Sequence, residues 1–316
     1  MTINEHLSTF HDLDVVTFPL KTAEAWQPPA EPVAWRLAIE PWDGEESFPE
    51  LWDRFMSTVD PSTVKALVIG QWGEPGEGVR VTIVIERILA AQEKFSALTG
   101  IFLGDMIFEE NEISWIEQSD VTALLENLPG LTEVGIRGGD ELEWKPVRHN
   151  NLQRLVIETG GLPREVVSGV AQSDLPALRE LRLWLGVDEY GGNWRPEDLQ
   201  PLLDGEKLPS LRVLGLQNSD KQDKVCELVA SAAIVRQVQQ LDLSLGILTD
   251  AGAQHLLKLT HLTELDLHHH YISEEMQQQL RSALEPAGVR VNLDDHKEPQ
   301  FYDQDSEAYY YTAVSE

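Results

Sequence analysis

Apolar residues recur along most of the chain in one short pattern: an aliphatic side chain, a second three positions on, and a third two positions after that. The triplets are Val64, Leu67, Ile69; Leu98, Ile101, Leu103; Leu131, Val134, Ile136; and Leu152, Leu155, Ile157. They continue as Leu178, Leu181, Leu183; Leu211, Leu214, Leu216; Val238, Leu241, Leu243; and Leu262, Leu265, Leu267. The second and third members are separated by two residues, the alternation of a strand that buries one side. First members step by between 21 and 34 residues, so the strand portion is constant and the connection varies. Two degenerate copies flank the series, Ala34 to Ile39 before it and Val289 to Leu293 after it. End units of a stacked array must cover a core and depart from the consensus, so the pattern predicts about ten parallel strands in one domain.

The connections predict helices. Ser119-Asp120 before VTALLENLPG, and the segments DKVCELVASAA, TDAGAQHLLKL and SEEMQQQLRSAL, each open at a capping-type residue and space their apolar side chains for one buried face. The connection from Gly138 to Asn151 carries Pro146 and is expected to be irregular. The expected fold is α/β, a right-handed solenoid with parallel strands on its concave face and helices and irregular connectors on its convex face. Residues 1–60 read as an N-terminal capping segment continuous with the array, 61–293 as the array, and 294–316 as an acidic, tyrosine-bearing flexible tail. Tyr309, Tyr310 and Tyr311 leave open docking on the last repeat or on a partner.

The apolar spacing fits the leucine-rich-repeat template. The run LTDAGAQHLLKLTHLTELDL, residues 248 to 267, resembles the ribonuclease-inhibitor-like class of these repeats. INEHLSTFHDL, EISWIEQSDV, LWLGVDEYGG, LGLQNS, DLHHH and the ending AVSE are similar to a family of bacterial stand-alone leucine-rich-repeat proteins. That resemblance spans almost the whole chain and implies a bacterial cytoplasmic setting without a transferable activity. The chain departs from the common repeat at position 9, where asparagine usually ties the turn after the strand. Here the position holds Trp72, Met106, Gly139, Gly160, Gly186, Ser219, Gly246 and His270, so the turns must be held differently.

Charge narrows the partners. With 24 Lys and Arg against 54 Asp and Glu the net charge is −30, which disfavours nucleic acid and anionic membrane. Its effect is solubility, or the steering of a cationic partner. The first residues lack an export signal and no apolar run is long enough to cross a bilayer, so a cytoplasmic protein, most simply a monomer, is expected. The single cysteine, Cys226, excludes an internal disulfide framework and is expected in the core.

Strand alternation places positions 3, 5 and 7 on the concave face. Its first third is small and apolar (Ala66, Val68, Gly70, Gly100, Phe102, Gly104), and its middle holds Arg137, Arg154, Arg182 and Trp184. Its last third is acidic, with Asp242, Asp266 and His268. Exposed arginine and aromatic side chains are enriched in hot spots, so the candidate contact set is Phe102, Arg137, Arg154, Val156, Glu180, Arg182, Trp184, Gln217, Asp242, Asp266 and His268. The competing reading is a solvated face with Arg–Glu pairs between strands. Extra residues after several strands carry Trp72, Trp115, Trp144, Tyr190 and Trp194. Of these, Trp115, Trp144, Tyr190 and Trp194 are candidate rim contacts, unless the loops fold back to cap the core.

Chemistry is sparse. His268-His269-His270 near Asp242 and Asp266 has the donor types of a divalent-metal site, but neighbouring strand residues point apart, and no metal or other cofactor is expected. Asp105, Glu109, Glu110 and Glu112 lack the glycine-punctuated spacing of a calcium loop. No nucleophilic triad, phosphate loop or dinucleotide fingerprint appears in its required context. The expected function is a non-catalytic protein–protein interaction module that holds a protein or peptide on its concave face and on the rim at the strand C-termini. The alternative is an accessory scaffold presenting a peptide substrate to a modifying enzyme encoded nearby.

Overall fold

A computed structural model describes residues 3–21, 29–42, 44–301 and 308–316. Twelve strands form one sheet in chain order: β1 (Thr9–Phe10), β2 (Leu13–Thr17), β3 (Ala34–Leu37), β4 (Ala66–Ile69), β5 (Gly100–Leu103) and β6 (Glu133–Arg137), then β7 (Arg154–Glu158), β8 (Glu180–Gly186), β9 (Val213–Ser219), β10 (Gln240–Asp242), β11 (Glu264–Asp266) and β12 (Arg290–Asn292). From β2 to β12 every neighbouring pair is parallel, whereas β1 and β2 pair antiparallel. The protein is a leucine-rich-repeat solenoid. The ten strands read from the apolar pattern are β3 to β12.

Register aligns equivalent positions, so Trp35, Leu67, Ile101, Val134, Leu155, Leu181, Leu214, Leu241, Leu265 and Val291 each oppose the next in one column. All are buried. At the first end of the column Phe18, Trp35 and Phe55 pack edge to face, with centroids 5.3 to 6.2 Å apart, closing the core where no earlier repeat exists.

The helices are α1 (Phe48–Thr58), α2 (Thr82–Ala90), α3 (Thr122–Asn127), α4 (Arg164–Gln172), α5 (Pro196–Asp204), α6 (Gln222–Ser231), α7 (Asp250–Ala253) and α8 (Glu274–Leu284). The four segments expected to be helical form α3, α6, α7 with a following 3-10 turn, and α8, and Gly138 to Asn151 contains neither helix nor strand. Successive units cap one another. Asp223 at the start of α6 accepts the backbone N–H groups of Thr249 and Gly252 at α7, and Asp250 of α7 accepts that of Ser273 at α8. Each carboxylate satisfies donors that the next helix N-terminus would leave unpaired.

The turns after the strands are held in two ways. At position 8 the backbone takes the left-handed region at Gly138, Asn218, Leu245, His269 and Asp295. Side chains then tie it: the His270 ring accepts from Ile272 N–H and donates to the Leu293 carbonyl, doing what the missing asparagine does. Gln118 donates to the Arg137 carbonyl, and Gln222 donates to that of Leu216 while accepting from Ser219 N–H.

Both chain ends pack on the array. Residues 9–17 make a hairpin turning at His11 and Asp12, both with positive φ, and β2 extends the sheet beyond β3. Residues 308–316 lie against the turns at position 8. Tyr311 O accepts from the His269 ring, Ala313 N–H donates to the Leu245 carbonyl, and Val314 exchanges two hydrogen bonds with the Asn218 side chain. Three consecutive turns, at Asn218, Leu245 and His269, present polar groups with which this segment pairs.

Truncating one member of the column leaves a void that neighbours on both sides share. Leu181→Ala is expected to cost about 2–5 kcal/mol in urea unfolding, and a loss well under 1 kcal/mol would show the column is not continuous.

Candidate functional site

The concave face divides where the N-terminal arm ends. Leu7, Phe10, Leu13 and Val15 pack on Ala34, Ala66, Val68 and Phe102, so the small apolar third of the inner face is roofed by the chain's own first residues. Phe10 meets Phe102 edge to face at 5.8 Å, and Gly135 on the next strand lets the Phe102 ring lie flat, since a Cβ there would sit 2.2 Å from it. The His11 ring bonds Glu133 at 2.9 Å and Thr99 at 2.8 Å, pinning the hairpin turn across β5 and β6.

A buried charge cluster locks the arm. Asp105 is fully buried, with Arg36 Nε at 2.7 Å, Arg137 Nη1 at 3.5 Å, and the Leu7 backbone N–H donating at 3.0 Å. His6 lies 3.4 Å from Asp105 and 3.3 Å from Glu110. Burial pushes the Asp105 pKa up, but hydrogen bonding to His6, the Arg36 charge and the Leu7 N–H more than offset it and hold it below its usual value. Hydrogen bonds to Asp105 and Glu110 raise the His6 pKa to about 9. The acidic group weighed as a cation loop is thus split by its partners: Asp105 is neutralised by two arginines and a histidine.

Beyond the roof a cleft of 360 Å³ opens between Thr9 to Asp12 and the strand residues Glu133, Arg154, Val156, Glu158, Glu180 and Arg182. Its floor is a zigzag of ion pairs. Arg154 reaches Glu133 at 2.9 Å and Glu180 at 3.0 Å, and Arg182 reaches Glu180 at 2.7 Å and also pairs with Asp242. Arg182 spans from β8 to β10 because Gly215 between them has no side chain; a Cβ there would meet the Arg182 Cγ at 3.0 Å. Burial raises the Asp242 pKa despite the Ser244 hydrogen bond and the Arg182 charge.

The candidate contacts therefore separate. Arg154, Val156, Glu180, Arg182, Trp184, Asp266 and His268 are partly exposed on the inner face. Phe102, Arg137, Gln217 and Asp242 are buried: Phe102 by Phe10, Arg137 by its bonds to Glu158 and the Met106 carbonyl, Gln217 by the Ser244 hydroxyl at 3.1 Å, and Asp242 by Arg182. These four are corrections to the expectation of an open surface. On the rim, Trp115 is 62% exposed, whereas Trp144 and Trp194, like Trp72, fold back into the core. Trp144 Nε1 donates to the Ser173 hydroxyl, and Trp72 Nε1 to the Val79 carbonyl. Tyr190 donates to Glu316 of the docked tail.

The histidine run also divides. His268 pairs with Asp266 at 2.8 Å, a hydrogen bond that raises its pKa, while burial lowers those of His269 and His270, whose Nε2 atoms bond backbone carbonyls. Among the described residues no group of three or more His, Cys, Asp or Glu is placed to hold a metal ion. No described helix is long and apolar enough to cross a membrane. Sequence reasoning missed His6, His11 and Arg36; no repeat position marks the first two, and Arg36 sits in a degenerate repeat at a concave position.

No protein-family model and no curated protein matches the chain. Among solved structures, a Bacteroides fragilis protein is 34% identical with a TM-score of 0.73, covering 78% of this chain and 70% of that one. An internalin from Listeria monocytogenes is 12% identical with a TM-score of 0.34, covering 75% of this chain and 56% of its own. A solenoid of leucine-rich repeats is in general an architecture for protein–protein interaction.

The raised His6 pKa sets the sign of a pH effect on the arm. Below the unfolded value of 6.5 the charged ring contributes fully, and as pH rises through about 9 the contribution is lost. The His6 ring resonances should titrate near 9 rather than 6.5, with amide protection of residues 3–10 falling over the same range. A midpoint at 6.5 would refute the charged contact.

Proposed function

The chain belongs to the same family as the Bacteroides fragilis protein, and from that premise we propose that it is a non-catalytic interaction module that seats a protein or peptide on the inner face from β7 to β11. The observation that carries this reading is the way the chain ends are disposed. The arm roofs the apolar strands β3 to β5, and the tail runs along the turns after β9 to β11, so the strand faces bearing Arg154, Val156, Arg182 and Trp184 stay accessible between them.

Two further features support it. The cleft at the end of the roof gives a ligand side chain a recess, and the ion-paired arginines keep their guanidinium planes fixed without retaining all their donors. Recognition by preset arginines loses less rotamer freedom than recognition by mobile ones. Trp115, standing exposed on the rim, is a second anchor. Cys226 is buried and unpaired, as suits a reducing cytoplasm.

The test is capture from the native host by tagged wild type and by a variant with Arg154→Ala, Arg182→Ala and Trp184→Ala, followed by affinity measurement with the purified partner. Hot-spot truncations cost about 2 kcal/mol each, so the triple variant should weaken binding by about a hundredfold or more while its melting curve stays cooperative. Equal affinity would remove the inner face as the site, and loss with Trp115→Ala alone would move it to the rim.

A further inference from the structure

The tail lies in a groove that meets an extended backbone group by group. The Tyr311 carbonyl accepts from the His269 ring and from the Tyr271 hydroxyl, and the Tyr311 N–H donates to that same hydroxyl. Ala313 N–H donates to the Leu245 carbonyl, and the Ser114 hydroxyl donates to the Ser315 carbonyl. Between them the fully buried Asn218 side chain takes both sides of one residue: its Oδ1 accepts the Val314 N–H at 3.0 Å and its Nδ2 donates to the Val314 carbonyl at 2.6 Å. Gly160 leaves room for the passing chain, since a Cβ there would stand 2.1 Å from the Ser315 carbonyl oxygen.

The apolar side chains that the groove takes in are small. Ala313 and Val314 are buried against Ile113 and Leu245, whereas the larger rings of Tyr309 and Tyr311 stay exposed. Recognition through the backbone and two small side chains suits a class of extended peptides rather than one sequence. Within that class the chain's own tail is poorly matched at its end. The Glu316 carboxylate is met by the Tyr190 hydroxyl, and Glu112 and Glu189 bring like charge to that hydroxyl. Among the described residues no lysine or arginine lines this end of the groove. Like charges held together in this way oppose docking, and a cation in place of Glu316 would be attracted instead.

We propose that the groove along the turns after β7 to β11 is a docking site for an extended peptide of a partner protein, and that the tail is its intrachain competitor. The peptide carries a small apolar pair where Ala313 and Val314 sit and a lysine or arginine in place of Glu316. The groove runs along the rim, apart from the inner face, and does not depend on a ligand there. A tail on the same chain acts at an effective concentration of about a millimolar or more, so a partner displaces it by the charge match that the tail lacks. The net charge of −30 draws basic peptides to the whole surface, and the specific site shows itself by its dependence on sequence order and on Asn218.

Fluorescence anisotropy of the full chain with labelled peptides spanning residues 310–316, in the native sequence and in its Glu316→Lys form, tests the assignment. Ala313→Asp in the protein sets a carboxylate in the apolar cluster and frees the groove. That variant should bind both peptides saturably at one site. The Glu316→Lys peptide should bind about threefold or more tightly at low salt, with the gap closing near about 1 M salt. Wild type, whose own tail competes, should bind both about tenfold or more weakly. Adding Asn218→Gly, which tolerates the positive φ and removes both bonds to Val314, should weaken binding about tenfold or more. If Ala313→Asp loses its cooperative melting, wild type decides the matter: millimolar Glu316→Lys peptide should abolish hydrogen-exchange protection of the Ala313 and Val314 amides. Absence of saturable binding, equal binding of a scrambled peptide of the same charge, equal affinity of the two peptides, affinity unchanged by Asn218→Gly, or undiminished amide protection would overturn the proposal.

Discussion

Every unit of this solenoid exposes an apolar stripe that only the next unit covers, and the rest of the architecture answers that constraint. In-register parallel pairing from β2 to β12 lets Leu67, Ile101, Val134, Leu155, Leu181, Leu214, Leu241 and Leu265 stack without a break. The first end of the stack is closed by aromatic packing around Trp35 and Phe55. Helix termini follow the same nearest-neighbour logic, with Asp223 and Asp250 each capping the helix of the following unit. Stability in such an array is a sum over adjacent interfaces, and a single core truncation is felt on both sides.

The inner face imposes a second demand. Strands β4 and β5 carry Ala66, Val68 and Phe102 where a solvated face would carry polar groups, so something must cover them. The arm that does so brings its own fastener. Asp105 is affordable in the interior only because Arg36, Arg137, His6 and the Leu7 N–H answer its charge together. Removal of either arginine would strand a buried carboxylate, which makes the arm part of the folded core.

The strands and their buried faces were legible because a triplet at fixed spacing is a local property, repeated often enough to survive variable connections. The roof was not, because its contacts join Phe10 to Phe102 and His11 to Glu133. Its turn, His11-Asp12, lacks the Asn-Gly or Asp-Gly signature of two-residue hairpins. A signal was nonetheless present: apolar residues on both sides of β4 mark a strand buried on two faces, and Phe102 belongs to that reading rather than to a contact surface. Among the arginines, position on a concave strand did not tell exposure. Arg137 and Arg154 are one repeat apart, yet the first is sealed beneath the arm's charge cluster and the second stands in the cleft beside it.

The two chain ends also meet. Ala313 and Val314 of the tail, Ile113 of the loop after β5 and Leu245 of the turn after β10 form one apolar cluster, and Ile3 of the arm and Trp184 of β8 pack against it. Release of the arm would uncover part of the surface the tail buries, and release of the tail would do the same to the arm, so the two attachments reinforce one another. Trp184 ties this cluster to the accessible inner face, since the same side chain that touches the tail's packing stands in line with the concave positions of β8. Displacement of Trp184 would therefore disturb the packing of both ends at once.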